Sequence, residues 1–350
     1  MVDAYINRIG TAVPPFDVHQ TFSKSLASLL PGRTTPAIIG RLVERAQIDH
    51  RYSFLPPELF LKPGGFYQQG QFPDTLERMR FFEQNAPVLA TQALEGIDLS
   101  GLKDDVTHLI VACCTGFYAP GIDVDIINRF GLRPSVERTF IGFMGCYAAV
   151  NALKLARHIV RSEPGAKVVV VNVELCTIHL QEIRDLDQML CFLIWGDGAS
   201  ACLVSSEPTG IELQSFHSMM ISEGADQLAW RIGQSGFDIL LSSKVAQTLG
   251  HSLPGIIGSI LGGRQASDIA LWAVHPGGRA ILDAVGRAFG LQEPALHLSR
   301  EVLRQFGNMS SATLVFVLKD ILERKLKGLG SAMAFGPGLG AESIVFEAAG

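Results

Sequence analysis

The sequence predicts an α/β protein built from two similar halves. Short segments that are largely apolar on both faces, such as 107–114 and 167–174, alternate with longer segments of helical periodicity. Strands that are apolar on both faces are typical of sheets covered by helices on both sides. The alternation begins again after a polar turn at 207–210. We therefore predict a boundary there, with one half at residues 1–207 and the other at 208–350.

Composition and charge favour a cytoplasmic protein. The 350 residues carry a formal net charge of −5, and the pI is near 6.0. Because no long basic run is present either, we do not expect a nucleic-acid partner. No apolar run is long enough to span a bilayer. The first ten residues lack the basic flank and apolar core of a signal peptide. We therefore expect a soluble chain without a membrane span.

The six cysteines predict reduced thiols. They lie in apolar, strand-like segments and form no CxxC pair, so we expect neither a disulfide framework nor a zinc site. They are Cys113, Cys114, Cys146, Cys176, Cys191 and Cys202.

The first half is predicted to alternate strands with helices. A strand at 4–13 ends at two prolines, and the helix at 36–47 has proline at a favoured first position. Residues 54–73 are rich in Pro, Gly and Gln and are expected to be irregular. The helix at 76–96 contains Pro87, which we expect to divide or kink it. The further elements are helices at 21–30, 123–130 and 148–161 and strands at 107–114, 167–174 and 199–204.

The second half repeats this alternation. A strand at 211–220 precedes a helix at 245–261, which we expect Pro254 to break. A buried strand at 269–274 stops at His275. The further elements are helices at 279–289 and 312–325 and strands at 331–335 and 343–346.

Cys146 lies in the stretch FIGFMGCYAAVNALKLARHIV, at a glycine turn before an apolar helix. The positive end of a helix favours a thiolate over a thiol, and the thiolate is the nucleophilic form. We therefore interpret Cys146 as a candidate nucleophile. The alternative is a small buried core cysteine, which is the commonest fate of a free cysteine.

Two further turns carry reactive side chains. His275 ends a buried strand in WAVHPGGRAIL, and Asn308 lies in a glycine-serine turn in FGNMSSAT. The structural alternative for His275 alone is a hydrogen-bonded core histidine, and that for Asn308 alone is a helix cap. Together with Cys146 they supply a nucleophile, a base and an amide donor.

Cysteine, histidine and asparagine in this order also describe papain-like hydrolases. The separation of 129 residues between Cys146 and His275 is close to the roughly 130–150 typical of that family. The papain-type cysteine, however, lies near the mature N-terminus in a CGSCW-like stretch, and Cys146 meets neither condition. A papain-like hydrolase is therefore only a remote alternative.

Five stretches carry a more specific resemblance, namely GFMGCYAA, WGDGASA, WAVHPGGRAIL, GNMSSAT and AFGPGLGAE. In order and spacing, over nearly the whole chain, they resemble type III polyketide synthases, the chalcone-synthase-like family. The resemblance implies a thiolase-like fold, with two similar α/β halves forming a five-layered αβαβα architecture, usually as a homodimer. Ketoacyl-ACP synthases III share the fold and the three catalytic residue types but lack HPGGRAIL and GNMSSAT. These enzymes are the nearest alternative to a polyketide synthase. A further alternative is a degenerate protein of the same fold that has no enzymatic activity.

The resemblance also implies a reaction. Cys146 is expected to take an acyl-CoA starter as a thioester, with His275 as imidazolium partner to its thiolate. His275 and Asn308 are expected to stabilise the enolate formed when malonyl-CoA loses carbon dioxide. Extension and ring closure would give a pyrone, a resorcinol or a related product. No metal or redox cofactor is expected.

Further positions match the family's substrate site. Arg41 and Arg45 match a basic helix that holds CoA phosphates. Trp195 and Ile239 match two gatekeeper positions, and Ala119 matches a loop residue that reaches the partner's cavity. The positions expected to line the cavity are Cys114, Thr115, Cys176, His179, Ser310 and Phe335. Because most of these side chains are small, we favour a fatty acyl-CoA starter.

Overall fold

A computed structural model describes residues 2–29, 36–183 and 186–350. Its α-helices are α1 (His19–Leu29), α2 (Pro36–Ala46), α3 (Thr75–Glu95), α4 (Ile122–Phe130), α5 (Ala148–Ser162), α6 (Leu186–Ile194), α7 (Val245–Ile260), α8 (Arg279–Ala288), α9 (His297–Phe306) and α10 (Thr313–Glu323). Its strands are β1 (Tyr5–Ala12), β2 (Phe16–Asp17), β3 (Tyr52–Ser53), β4 (His108–Cys113), β5 (Glu137–Gly142), β6 (Val168–Leu175), β7 (Asp197–Ser205), β8 (Ile211–Met220), β9 (Leu228–Gly233), β10 (Gly236–Leu241), β11 (Leu271–Val274), β12 (Lys327–Gly336) and β13 (Gly340–Ala349).

The large sheet contains the same arrangement twice. Its strand order is β11-β12-β13-β8-β1-β7-β6-β4-β5. The order β4-β6-β7-β1 in the first half corresponds to β11-β12-β13-β8 in the second. In each set the first pair is parallel and the other two pairs are antiparallel. The sets meet where Tyr5 and Ile6 of β1 pair with Glu212 and Ile211 of β8. The chain therefore consists of two similar α/β halves.

Helices cover the strands in five layers. α3 packs on β1, β6 and β7, and α4 packs beside it. α5 and α10 lie between the two sets of strands, because α5 contacts β4, β6, β7 and β13 while α10 contacts β1, β7, β11 and β12. α7 packs on β8 and β13, with α8 beside it. The result is the αβαβα architecture, and the two central helices begin beside Cys146 and Asn308.

Neither Pro87 nor Pro254 divides its helix, so the two predicted divisions are wrong. α3 continues through Pro87, and α7 continues through Pro254. Both helices bury apolar faces, including Phe82 and Leu89 in α3 and Leu253 in α7. This packing outweighs the lost backbone hydrogen bond at each proline.

β7 begins earlier than expected. The sequence Gly196-Asp197-Gly198 precedes the predicted strand at 199–204, but the strand starts at Asp197. Gly198 is required there because a Cβ would lie 2.3 Å from Sδ of Met309. The strand thereby approaches the turn that contains Asn308.

All six cysteines are free thiols, as the sequence predicts. Within the described ranges, no helix is both long and apolar enough to cross a membrane.

Candidate active site

A tight turn between β5 and α5 presents Cys146. Residues Gly145–Tyr147 form one 3-10 turn, and Gly145 has a φ of +76°. A Cβ on Gly145 would lie 2.3 Å from Cδ of Pro337, so both the backbone conformation and the space require glycine. The Gly145 N–H donates to Sγ of Cys114 at 2.9 Å, which ties the turn to the end of β4.

The structure brings Cys146, His275 and Asn308 to one cavity of about 750 Å³, here called the central cavity. His275 directly follows β11, and its backbone N–H donates to the carbonyl of Met333 at 2.8 Å. Asn308 follows α9, and its backbone N–H donates to the carbonyl of Ile194 at 2.7 Å. Three turns that are far apart in the sequence therefore supply one site.

Hydrogen bonds fix the orientation of the Asn308 amide. Its Oδ1 accepts the backbone N–H of Ser310 at 2.8 Å, so the amide nitrogen is at the other end of the group. Its amide also hydrogen-bonds the Cys146 side chain, and Nδ2 makes a long contact of 3.5 Å with the carbonyl of Gly277. Ser310 adopts a left-handed conformation, with φ of +48°, to make this arrangement. Asn308 thus retains N–H groups that can bind a carbonyl oxygen.

The imidazole of His275 is buried without a hydrogen-bond partner. Its residue is 1% exposed, and neither Nδ1 nor Nε2 has a partner among the described residues. Since His275 lines the central cavity, its ring can exchange protons or hydrogen bonds with a molecule bound there.

Burial opposes the expected thiolate–imidazolium pair. Burial raises the pKa of Cys146 to about 12, and the Glu174 carboxylate adds to this rise. The side chains of Ser310 and Asn308 oppose it only in part. Burial also lowers the pKa of His275 to about 3. Desolvation therefore favours the neutral thiol and the neutral imidazole.

Glu174 is a buried carboxylate that the sequence analysis did not single out. Its Oε2 accepts from the Cys114 backbone N–H at 3.0 Å and from the Thr115 hydroxyl at 2.8 Å. Its Oε1 accepts from the Ser311 hydroxyl at 2.5 Å. Burial raises the pKa of Glu174. The carboxylate joins the ends of β4 and β6 to the turn after Asn308. An acidic residue at the end of an otherwise apolar strand was the available signal.

Most of the expected cavity positions do line the central cavity. They are Cys114, Thr115, Cys176, Trp195, Ile239, Ser310 and Phe335. Ala119 instead lies exposed in the loop after β4.

His179 does not line the central cavity. It is fully buried, its Nε2 donates to the carbonyl of Thr115 at 2.7 Å, and its Nδ1 accepts the backbone N–H of Phe237 at 3.1 Å. Its ring stacks on Phe237 at a centroid distance of 4.3 Å. With both nitrogens bonded, and with burial lowering its pKa to about 3, His179 supports the cavity wall.

Comparisons with known proteins agree with this site. The family model of the chalcone and stilbene synthases matches in both parts, the N-terminal domain at residues 3–208 and the C-terminal domain at residues 212–349. The chain belongs to the chalcone and stilbene synthase family. It is accordingly a type III polyketide synthase, an acyltransferase, and the ketoacyl synthase alternative is not favoured.

Relatives of the synthase come from bacteria, plants and algae. It is 31% identical to the "alpha-pyrone synthesis polyketide synthase-like Pks18" of Mycobacterium tuberculosis, over 98% of this chain and 91% of that one. It is 33% identical to the bisdemethoxycurcumin synthase of Oryza sativa subsp. japonica, over 70% and 66% of the two chains. The crystal structure of PKS-I from the brown alga Ectocarpus siliculosus superposes with a TM-score of 0.88 at 27% identity, covering 99% of each chain.

Two indoles stand at one side of the synthase's central cavity. Trp195 and Trp230 meet edge to face, with ring centroids 5.2 Å apart and an interplanar angle of 82°. The Trp230 Nε1–H donates to the carbonyl of Cys114 at 2.8 Å. Trp230 lies opposite Ile239 in the β9–β10 hairpin, so the hairpin carries both residues to the cavity. The sequence analysis missed Trp230, although WRIGQSGFDI combines alternating residues with a glycine-bounded turn.

A surface groove of the synthase adjoins the central cavity. The two share the lining residues Leu241, Val245, Gly277 and Ile281. Arg45 and Arg279 line the groove, whereas Arg41 is exposed one turn earlier on α2 and does not line it. Arg279 is a second cation there that the sequence analysis did not identify.

Proposed function

We propose that this synthase loads an acyl-CoA starter on Cys146 and extends it with malonyl-CoA. The observation that carries the proposal is the convergence of Cys146, His275 and Asn308 on one cavity. The unpartnered ring nitrogens of His275 and the oriented amide of Asn308 support their roles as proton carrier and donor.

Acyl transfer begins from a neutral thiol and a neutral imidazole. As the Cys146 sulfur attacks the thioester carbonyl, His275 takes the thiol proton. The carbon–sulfur bond to CoA then breaks, and His275 returns the proton to the departing CoA thiolate. Because proton transfer within the pair creates no net charge, a buried site can support it.

Extension uses the same donors for a different oxygen. The thioester oxygen of malonyl-CoA accepts hydrogen bonds from Asn308 and His275, and the carboxylate leaves as carbon dioxide. The resulting enolate carbon attacks the acyl carbonyl on Cys146, and the cysteine departs as a thiolate that carries the negative charge. A proton from water restores the thiol before the next transfer. Each step moves an acyl group, a proton or carbon dioxide, so the cycle requires no metal or redox cofactor.

The substrate class follows from the lining and the relatives. Cys114, Cys176 and Leu228 present small or aliphatic surfaces to the central cavity, which supports a fatty acyl starter. The name of the mycobacterial relative refers to α-pyrone synthesis, and an α-pyrone is the product we propose. Arg45 and Arg279 in the surface groove would hold the CoA phosphates.

We also propose that the synthase is a homodimer. β5 lies at the edge of the sheet, and Phe140 and Met144 are 40% and 37% exposed beside it. A sheet edge that carries exposed Phe140, followed by exposed Met144, suits a second copy, and Ala119 would then reach the partner's cavity. Analytical ultracentrifugation should give the mass of a dimer for the wild type and the mass of a monomer for Phe140→Glu. A monomeric wild type would contradict the dimer.

Two smaller proposals concern the chain's organisation and location. The polar connection between β7 and β8 supports a division into residues 1–207 and 208–350. Six free thiols support a reducing, cytoplasmic location.

Incubation with a panel of acyl-CoAs and labelled malonyl-CoA tests the proposed activity. Mass spectrometry should find acylated Cys146 and labelled α-pyrones, with saturated acyl chains preferred over aromatic starters. Aromatic starters giving the better yields would contradict the fatty acyl proposal. If no acyl-CoA labels Cys146, the loading step itself is wrong.

A further inference from the structure

The main chain and the side-chain amide of Asn308 are held by different groups. The Asn308 N–H donates to the carbonyl of Ile194 at 2.7 Å, and the Asn308 carbonyl accepts the N–H of Gly196 at 3.0 Å. These two bonds fix the main chain. The direction of the amide depends instead on the Ser310 N–H, which donates to Oδ1 of Asn308 at 2.8 Å. The amide is therefore aimed only as well as the turn at Ser310 is held.

The backbone at Ser310 has an unfavourable conformation. Its φ is +48°, in the left-handed region that residues other than glycine rarely adopt. Such a conformation persists only where the surrounding structure holds it. Because position 310 is a serine and not a glycine, hydrogen bonds from another residue are needed to keep the turn in place.

The hydroxyl of Thr313 supplies those hydrogen bonds. Its Oγ1 accepts the Met309 N–H at 2.9 Å and donates to the Ser310 carbonyl at 2.9 Å, so it bonds the backbone on both sides of the turn. Thr313 and Met309 are both 0% exposed, which keeps water from competing for these bonds. Thr313 is also the first residue of α10, which is packed between the two sets of strands. The hydroxyl thus ties the turn to a helix in the core.

We propose that Thr313 is a positioning residue whose hydroxyl aims the Asn308 amide at the thioester oxygen of malonyl-CoA. The inference rests on the role proposed above for Asn308. Thr313 does not line the central cavity, so it acts through the turn and not on the substrate. Without the hydroxyl, the buried Met309 N–H would lose its acceptor and the turn would relax. The amide would then be misplaced, and a small displacement of a donor is enough to slow a reaction.

Valine and serine at position 313 separate the hydroxyl from the shape of the side chain. Thr313→Val should release carbon dioxide from malonyl-CoA with a kcat about tenfold lower, a smaller loss than removal of a whole donor. KM for malonyl-CoA should not change, because the surface groove is untouched. Thr313→Ser keeps the hydroxyl and should recover most of the lost rate. A wild-type kcat in folded Thr313→Val would overturn the proposal.

Ser331→Ala is the matched control for removal of a buried hydroxyl. Ser331 is 0% exposed on β12, outside the lining of the central cavity, and its Oγ has no hydrogen-bond partner among the described residues. Its kcat should equal that of the wild type. A fall as large as in Thr313→Val would indicate a general effect of core packing and overturn the proposal. Thr313→Ala, which also lacks the hydroxyl, replaces Thr313→Val if that variant does not fold.

A double-mutant cycle determines whether Thr313 acts through Asn308. Asn308→Ala/Thr313→Val should release carbon dioxide no more slowly than Asn308→Ala, because no amide remains to be aimed. Losses that multiply would mean that Thr313 acts independently of Asn308 and would overturn the proposal. An Asn308→Ala enzyme as fast as the wild type would overturn the role proposed for Asn308, and this inference with it.

Discussion

At the scale of single residues, Arg45 and Arg279 line the surface groove while Arg41 does not. We expect Ala at both groove positions to raise KM for malonyl-CoA by about two- to fivefold per residue, as for partly exposed charge pairs. The product pattern and kcat should not change, because phosphate contacts bind substrate and transition state alike.

Arg41→Ala is the matched control, since Arg41 lies on the same helix with the same charge. Steady-state kinetics of the three variants separate the groove from a general effect of surface charge. An equal rise in KM for Arg41→Ala would contradict a specific phosphate site.

The chemistry of single residues was only partly predictable from the sequence. Cys146, His275 and Asn308 were identifiable because each follows an apolar segment in a distinctive turn, and the structure places all three at one cavity. The protonation states of these residues were not predictable from the sequence, because a pKa depends on the atoms that bury the group. Glu174 was missed because its hydrogen-bond donors lie far from it in the sequence, around Cys114 and Thr115 and at Ser311.

At the scale of elements, α6 and the β9–β10 hairpin hold the two indoles in the wall of the central cavity. Trp195 follows α6, and Trp230 packs against it from the hairpin. Removal of the indole by Trp195→Ala should open the central cavity towards a second cavity, because Trp195 lines both. We expect longer acyl starters or additional extensions, together with a loss of about 3–5 kcal/mol in unfolding free energy.

Trp272→Ala provides the comparison for that loss of stability. Trp272 is 4% exposed and packs on Phe289 in the core, outside the lining of the central cavity. Both variants should show lowered urea midpoints, but only Trp195→Ala should yield altered products by mass spectrometry. An unchanged product spectrum from folded Trp195→Ala would mean that the indole only fills space.

Elements were predictable where burial dominates. Strands β4 and β6, which are largely apolar on both faces, were predicted to within about a residue at most ends. β5 was missed because Glu137–Phe140 are exposed at the sheet edge and show no apolar run. The β9–β10 hairpin was missed because its alternation covers only three residues in each strand, Trp230–Ile232 and Phe237–Ile239. The predictions at Pro87 and Pro254 failed because the local helix preference of proline does not show how much apolar area the whole helix buries.

At the scale of the whole molecule, the site exists only when the two halves meet. The first half supplies Cys146 and Glu174, and the second supplies His275 and Asn308. The 2.5 Å bond from Ser311 to Glu174 crosses between the halves next to the nucleophile. Periodicity predicted two α/β halves, whereas the five-layered stacking followed from family resemblance, since no local pattern encodes which layers face each other.

The most direct test of the roles of Cys146, His275 and Asn308 measures carbon dioxide release and acylation of residue 146 in the same variants. Cys146→Ala should make no polyketide but still release labelled carbon dioxide slowly from malonyl-CoA, because the donors remain. His275→Ala should lose both activities, since it removes the proton acceptor and one enolate donor together.

Asn308→Ala is the decisive variant in that measurement. It should still be acylated on Cys146 by mass spectrometry, while its carbon dioxide release falls by about 10²–10³, as for loss of one oxyanion donor. An Asn308→Ala enzyme that releases carbon dioxide at the wild-type rate but cannot be acylated would contradict the roles assigned to all three residues.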